Sequence, residues 1–138
     1  MFNLVLVKKY IQQLPECFLH YVKGLNFVDK RCKDRGYVVE GDECEKIINL
    51  YKDSSKRTFF HEVAHTILED KINFNFVVDY IINNQIIDEF FARAFEEYIL
   101  DPEKLKNKEN VTYVMFKQLQ IFINKRLKED KKIKRGKK

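Results

Sequence analysis

Residues 59–67 read Phe-Phe-His-Glu-Val-Ala-His-Thr-Ile and contain two of the three histidines in this chain of 138 residues. His61 and His65 are four positions apart, so on a helix they lie on one face, one turn apart. The opposite face is apolar and consists of Phe59, Phe60, Val63 and Ile67. This pattern predicts a helix that buries one face in a core and presents its histidines to a cleft.

The two histidines also have the spacing of a metal-binding pair. Both imidazoles can reach one ion at a Zn–N distance of about 2.0–2.1 Å. Glu62 is rotated by about 100° from His61 around the helix, so it stands beside the ion and can accept a proton from a metal-bound water. The alternative is a surface helix whose His and Glu side chains only contact solvent.

A catalytic zinc needs a third protein ligand and an open position for water. His20 is one candidate, but a lone histidine on an apolar helix more commonly packs in a core. Asp88 and Glu89 follow His65 by 23 and 24 residues and open the next clear helix. The helical wheel does not choose between these two carboxylates and places Asp88 nearer the apolar sector.

The flanking sequence predicts an α+β domain. Residues 3–23 have helical spacing interrupted by Pro15, and further helices are predicted at 56–70, after an N-cap in 53–55, at 88–100, and from Asn110 onward. Three short segments rich in aromatic and β-branched residues, 25–28, 37–39 and 47–51, predict a small three-stranded sheet with turns at 34–36 and 40–42. Residues 71–87 fit no single period.

Composition and charge limit the classes of protein. Apolar residues make up 45% and charged residues 34%, which excludes a disordered chain and supports one domain, assigned to residues 1–128. The net charge is +5, yet residues 125–138 alone hold nine basic residues against two acidic ones. The body is therefore slightly acidic, which argues against a nucleic-acid-binding domain. Residues 129–138 are predicted to be a basic, disordered tail.

The sequence predicts neither a membrane span nor a secretory signal. No apolar run reaches the length of about 18 residues that a transmembrane helix needs, and lysines follow rather than precede the apolar residues 2–7. Cys17, Cys32 and Cys44 lack the Cys-x-x-Cys spacing of a zinc ribbon and suit a reducing compartment. We expect a cytoplasmic protein, with export by a route without a signal peptide left open. The oligomeric state is also left open.

His61-Glu62-x-x-His65, followed by Glu-Phe-Phe-Ala-Arg-Ala-Phe at residues 89–95, resembles the gluzincin metallopeptidases, most closely the anthrax lethal factor-like group. The resemblance covers residues 57–100. It implies a zincin-like fold, in which a metal-binding helix lies beneath a small twisted sheet. It also implies that His61, His65 and Glu89 bind Zn²⁺ and that Glu62 is the catalytic base of a zinc-dependent endopeptidase acting on protein or peptide substrates.

Two features depart from the lethal factor-like pattern. The interval between His65 and Glu89 is shorter, and it is closer to that of the ImmA/IrrE-type peptidases and of minimal gluzincins. The lethal factor-like group also has a tyrosine seven residues before the Glu ligand, which helps to polarise the substrate carbonyl. Ile82 stands at that position here. Tyr80 is the nearest substitute, and packing in or on the core is the alternative role for its ring.

The resemblance further implies that substrate binds in an extended form along an edge strand before the metal helix, which places it along residues 45–51. An ordinary edge strand is the alternative. Two other functions stay open. A regulatory peptidase of the ImmA/IrrE kind, cleaving a repressor, suits the short ligand interval. A non-catalytic, zinc-stabilised interaction module using the basic tail is disfavoured by Glu62, because a structural zinc site needs no base.

Overall fold

The computed structural model describes residues 4–80 and 87–136, with side chains for 5–80 and 87–132. These residues form an α+β domain, as the sequence predicts, with seven helices and two small sheets. The helices are α1 (Leu4–Ile11), α2 (Glu16–Leu19), α3 (Lys56–Glu69), α4 (Lys71–Val78), α5 (Ile87–Leu100), α6 (Pro102–Lys108) and α7 (Asn110–Gly136). The strands are β1 (Gly24–Phe27), β2 (Cys32–Asp34), β3 (Tyr37–Val39), β4 (Gly41–Cys44) and β5 (Ile47–Leu50).

Helix α3 begins where the sequence predicts it, because Ser55 and Thr58 form a capping box at its N-terminus. The Ser55 hydroxyl accepts a hydrogen bond from the Thr58 backbone N–H, and the Thr58 hydroxyl accepts one from the Ser55 N–H. This reciprocal arrangement satisfies two backbone donors that a helix start leaves open. The predicted apolar face is fully or almost fully buried and consists of Phe59, Phe60, Val63 and Ile67.

The sheet has the predicted number of strands but a different membership. Its order is β1-β5-β4, with β1 parallel and β4 antiparallel to β5, while residues 37–39 form a separate hairpin with β2. The predicted turn at 34–36 is confirmed, since Arg35 and Gly36 both have positive φ. The predicted turn at 40–42 is wrong, because Gly41 and Asp42 begin β4 and pair with β5.

The prediction that residues 45–51 form the edge strand is also wrong. Strand β5 is central and pairs with a strand on each side. Its side chains Ile48 and Leu50 are fully buried, as suits a central strand. The edge strand that lies against α3 is β4.

The core lies between α3, α5 and α7 and is rich in aromatic rings. Phe95 of α5 packs edge-on to Phe18 of α2 and to Phe116 of α7, with ring centroids 5.2 and 5.8 Å apart. Phe116 also stacks on Tyr98, at 4.9 Å. On α7, Met115, Leu119 and Ile123 form a fully buried stripe, whereas Val114 is exposed.

Helix α7 continues to Gly136, whereas the sequence predicts disorder from residue 129. Residues 128–132 are exposed, and none of them belongs to the hydrophobic core. Lys, Arg and Glu have good helix propensity, and a helix already started by a buried stripe propagates at little cost. The predicted domain boundary thus falls inside a helix. None of the helices in the described ranges is long and apolar enough to cross a membrane.

Arg126 of α7 joins three distant parts of the chain. Its guanidinium forms an ion pair with Asp70 at 3.0 Å and donates hydrogen bonds to Asn73 at 2.9 Å and to the Tyr21 hydroxyl at 3.4 Å. Asp70 also caps α4, through the Asn73 backbone N–H. These long-range contacts explain why α4 forms although its sequence shows no clear helical period.

Candidate metal centre

Two packed helices bring the three predicted ligands together. The His61 and His65 side chains project from consecutive turns of α3, and their rings lie 4.9 Å apart. Glu89, in the first turn of α5, faces both rings. Its two carboxylate oxygens lie 3.3 Å from His61 Nε2 and 3.2 Å from His65 Nε2. One ligand atom from each residue lies within 4.8 Å of the other two, and such a set of two imidazoles and one carboxylate suits zinc.

The helix that carries Glu89 can approach α3 because small residues lie on the packed helices. Ala64 of α3 and Ala92 of α5 are both fully buried. Ala92 lies one turn beyond Glu89, on nearly the same face of α5. A larger side chain there would hold the helices apart, since the distance between packed helices depends on the side chains at the contact.

The other two candidates for the third ligand lie apart from this group. Asp88 and Glu89 are both exposed, but of these two carboxylates it is that of Glu89 that lies within ligand distance of both histidines. His20 packs edge-on against Tyr21, with ring centroids 5.1 Å apart, and lines a different cavity together with Lys23 and Arg126.

The Glu62 side chain is only 6% exposed. Burial raises its pKa to about 7, with His61 acting in the opposite direction. A carboxyl group with a pKa near neutrality can both accept and return a proton, which is the property that a general base needs. Glu62 lines the same cavity as His61, so this carboxyl faces the space next to the candidate ligands.

The two histidines differ in their electrostatic surroundings. Burial lowers the pKa of His65, and the neighbouring His61 lowers it further. Burial is the largest influence on the pKa of His61 and lowers it, but the hydrogen bond with Glu96 and the charges of Glu96, Glu89 and Glu62 together raise it, so the net direction is upward. A metal ligand must be a neutral imidazole, and His65 meets that condition readily.

Sequence reasoning missed the partner that orients His61. The Nδ1 atom of His61 lies 2.7 Å from Glu96 Oε2, and Glu96 is buried. The Arg57 guanidinium lies 3.4 Å from the other Glu96 oxygen. The hydrogen bond between Nδ1 and the Glu96 carboxylate fixes the orientation of the His61 ring, so that Nε2 points toward Glu89. Histidines that bind a metal are usually held in this way. The signal was the spacing of Glu96, seven residues after Glu89 on α5 and therefore near the same helix face.

Two cavities flank the ligand group. A cavity of about 460 Å³ opens beside Glu62, between the first turns of α3 and residues 38–41 of the strands. A second cavity of about 410 Å³ begins at Glu89 and runs along α5 to Leu105 of α6. Strand β4 can approach α3 here because residue 41 is glycine. A Cβ atom on Gly41 would lie 2.8 Å from Thr58 Cγ2, which is closer than real contacts allow.

Tyr80, the suggested carbonyl-polarising residue, follows α4 and packs its ring 5.5 Å from that of Phe76. It belongs to the partly buried residues around the core. Ile82, which stands where the lethal factor-like group has its tyrosine, lies outside the described residues. The role of Tyr80 in chemistry stays a prediction.

Family models yield no match to this chain, and neither the curated proteins nor the solved structures include a significant match. The α+β fold alone does not decide a function, because one fold can host many activities. What this chain can do chemically is therefore inferred from the geometry of His61, Glu62, His65 and Glu89.

Proposed function

We propose that this protein is a zinc-dependent endopeptidase of the gluzincin type. The observation that carries the proposal is the position of one buried carboxyl group, that of Glu62. Glu62 comes directly after His61 in the sequence. Its buried carboxyl group lines the cavity beside His61, where His61 and His65 of α3 lie close to the Glu89 carboxylate of α5. A structural metal site has no use for such a group, since it closes all its positions with ligands.

The residues of the chain divide the chemistry between them. His61, His65 and Glu89 would hold the ion, and the chemistry that zinc supplies at such a site is Lewis acidity, which polarises the scissile carbonyl and acidifies the attacking water. As the water oxygen bonds to the carbonyl carbon, Glu62 accepts a proton from the water. When the C–N bond breaks, Glu62 gives the proton to the leaving amine.

The substrate class follows from the strand nearest this site. Strand β4 pairs on one side with β5 and is the edge of its sheet next to α3. An extended peptide can add to such an edge through main-chain hydrogen bonds with little demand on its side chains. We therefore propose unfolded or extended protein segments as substrates. A regulatory peptidase that cleaves one repressor would use the same site and differ only in substrate.

The test measures metal uptake and cleavage together. The purified protein should take up one zinc ion per chain, cleave members of a broad peptide library, lose cleavage to a chelator and regain it with added zinc. Loss of the ion should also lower the melting temperature, because a ligand that binds only the folded state stabilises it. No zinc uptake would refute the site. Zinc uptake without cleavage of any peptide would refute the activity and favour the interaction module.

A further inference from the structure

The cavity beside Glu62 contains a basic side chain to which the proposed reaction gives no role. Arg57 lies one turn before His61 on α3 and lines this cavity together with Glu62 and Glu96. Its side chain is 63% exposed, and its guanidinium contacts Glu96 at the long distance of 3.4 Å. A guanidinium has several N–H donors in a planar fork, so one long contact leaves most of them available to a ligand.

The proposed mechanism decides which half of a substrate would enter this cavity. Glu62 must give its proton to the leaving amine, so that nitrogen must come within hydrogen-bond reach of Glu62. The half of the peptide that begins with this amine therefore lies on the Glu62 side of the ligand group. The cavity of about 460 Å³ lies on that side, and the cavity that starts at Glu89 does not include Glu62.

The chemistry of the cavity wall indicates which part of the peptide meets Arg57. Apart from His61, Arg57 is the one basic residue among the described residues that line the cavity. Glu40, Glu62 and Glu96 supply carboxylates, and Val38 and Val39 supply an apolar wall. A hydrogen-bond acceptor in this space therefore has one charged donor available to it. The acceptors that every peptide carries, whatever its side chains, are its main-chain carbonyl oxygens and its terminal carboxylate.

We propose that Arg57 binds an acceptor oxygen of the leaving half of the substrate, either a main-chain carbonyl or a terminal carboxylate. This inference rests on the proposed function, because it uses the direction in which Glu62 returns its proton. It makes Arg57 a substrate-binding residue, and its contact with Glu96 keeps the guanidinium near the cavity in the absence of substrate.

The test uses binding to the zinc-loaded protein rather than turnover. Acetohydroxamate serves as a probe of the metal alone. The second probe is a succinyl hydroxamate coupled to Leu-Ala, whose chain extends toward the leaving side, prepared as the free acid and as the carboxamide. Arg57→Gln should weaken binding of the peptidyl probe at least about tenfold, the usual effect of losing a charge-assisted hydrogen bond, and leave acetohydroxamate unchanged. Arg57→Lys should retain part of the affinity.

Arg93→Gln is the matched control, because Arg93 is an exposed arginine that lines the other cavity, beside Glu89. It should change neither affinity. A preference of the wild type for the free acid that disappears in Arg57→Gln would identify a carboxylate as the acceptor, and equal binding of acid and amide would identify a carbonyl.

Three results would overturn the assignment. An equal loss for both probes in Arg57→Gln would show that Arg57 acts on the metal through Glu96. A loss in Arg93→Gln with none in Arg57→Gln would put the leaving half in the other cavity. Absence of acetohydroxamate binding to the wild type would refute the metal site, and the assignment of Arg57 would fall with it.

Discussion

The helices that carry the candidate ligands and the strands beside them are held together in different ways. Helices α3 and α5 pack through fully buried side chains such as Phe60, Val63 and Phe91. Strand β4 has no fully buried side chain and is held by polar bonds, in which Asp42 accepts from Asn49 at 2.8 Å and from Tyr51 at 2.5 Å. We expect substitutions of the candidate site residues on the two helices to change metal binding or turnover, and substitutions on β4 to change stability and leave metal binding intact.

The largest effect is expected at Glu62. Glu62→Gln should lower kcat by about 10²–10⁴-fold, the usual contribution of a general base, while zinc affinity stays within a factor of about two. Glu69→Gln is the control, since Glu69 is an exposed acid on the same helix. Peptide cleavage and zinc competition with a chelator are measured on both variants. Equal turnover in Glu62→Gln and the wild type would remove Glu62 from the mechanism.

Glu89 and Asp88 offer a test between adjacent carboxylates. Glu89→Ala should weaken zinc binding by more than the roughly 10–100-fold typical of losing an outer partner, because it removes a direct ligand. Asp88→Asn should leave the affinity nearly unchanged. Competition with a chelator measures both. The reverse ranking would make Asp88 the ligand and would weaken the likeness to gluzincins.

A second pair on α5 tests the orientation of His61. Glu96→Gln should weaken zinc binding by about 10–100-fold, since the carboxylate on Nδ1 no longer fixes the ring. Glu97→Gln is the control, because Glu97 contacts Lys108 at 3.5 Å and is not among the candidate ligands. If Glu97→Gln matched Glu96→Gln, the effect would be a general disturbance of α5.

The smallest effect is expected on the strand side. Gly41→Ala would bring a Cβ atom into Thr58 and should lower the free energy of unfolding by about 1–3 kcal/mol, as overpacking usually does. Gly24→Ala meets only ordinary contacts at 3.6 Å and should cost less. Urea unfolding of both variants, and zinc affinity of the folded proteins, are the measurements. A large loss of zinc affinity in Gly41→Ala would show that strands and metal site are one unit.

The difference between the two regions also explains what the sequence could predict. Dense apolar periodicity made α3 and α5 recognisable from local pattern, and the His61 and His65 spacing needs no more than a helix. Strand β4, by contrast, reads Gly-Asp-Glu-Cys, which is typical of a turn, and its pairing depends on partners such as Asn49 and Tyr51. The contact of His61 with Glu96 spans 35 positions, so the only local signal for it was the spacing of Glu96 from Glu89 on α5.

Arg126 and the aromatic residues of α7 have a consequence for the time at which the site can form. The Arg126 contact with Tyr21 spans 105 positions, and Phe116 closes the aromatic cluster behind α5. Contacts at such separations form late, because the chain must first give up the entropy of a long loop. During synthesis, the segments bearing His61 and Glu89 leave the ribosome before their support exists. We expect nascent chains stalled ahead of α7 to remain protease-sensitive, and chains that expose the whole of α7 to become resistant, so that the candidate metal centre matures only after α7 has emerged.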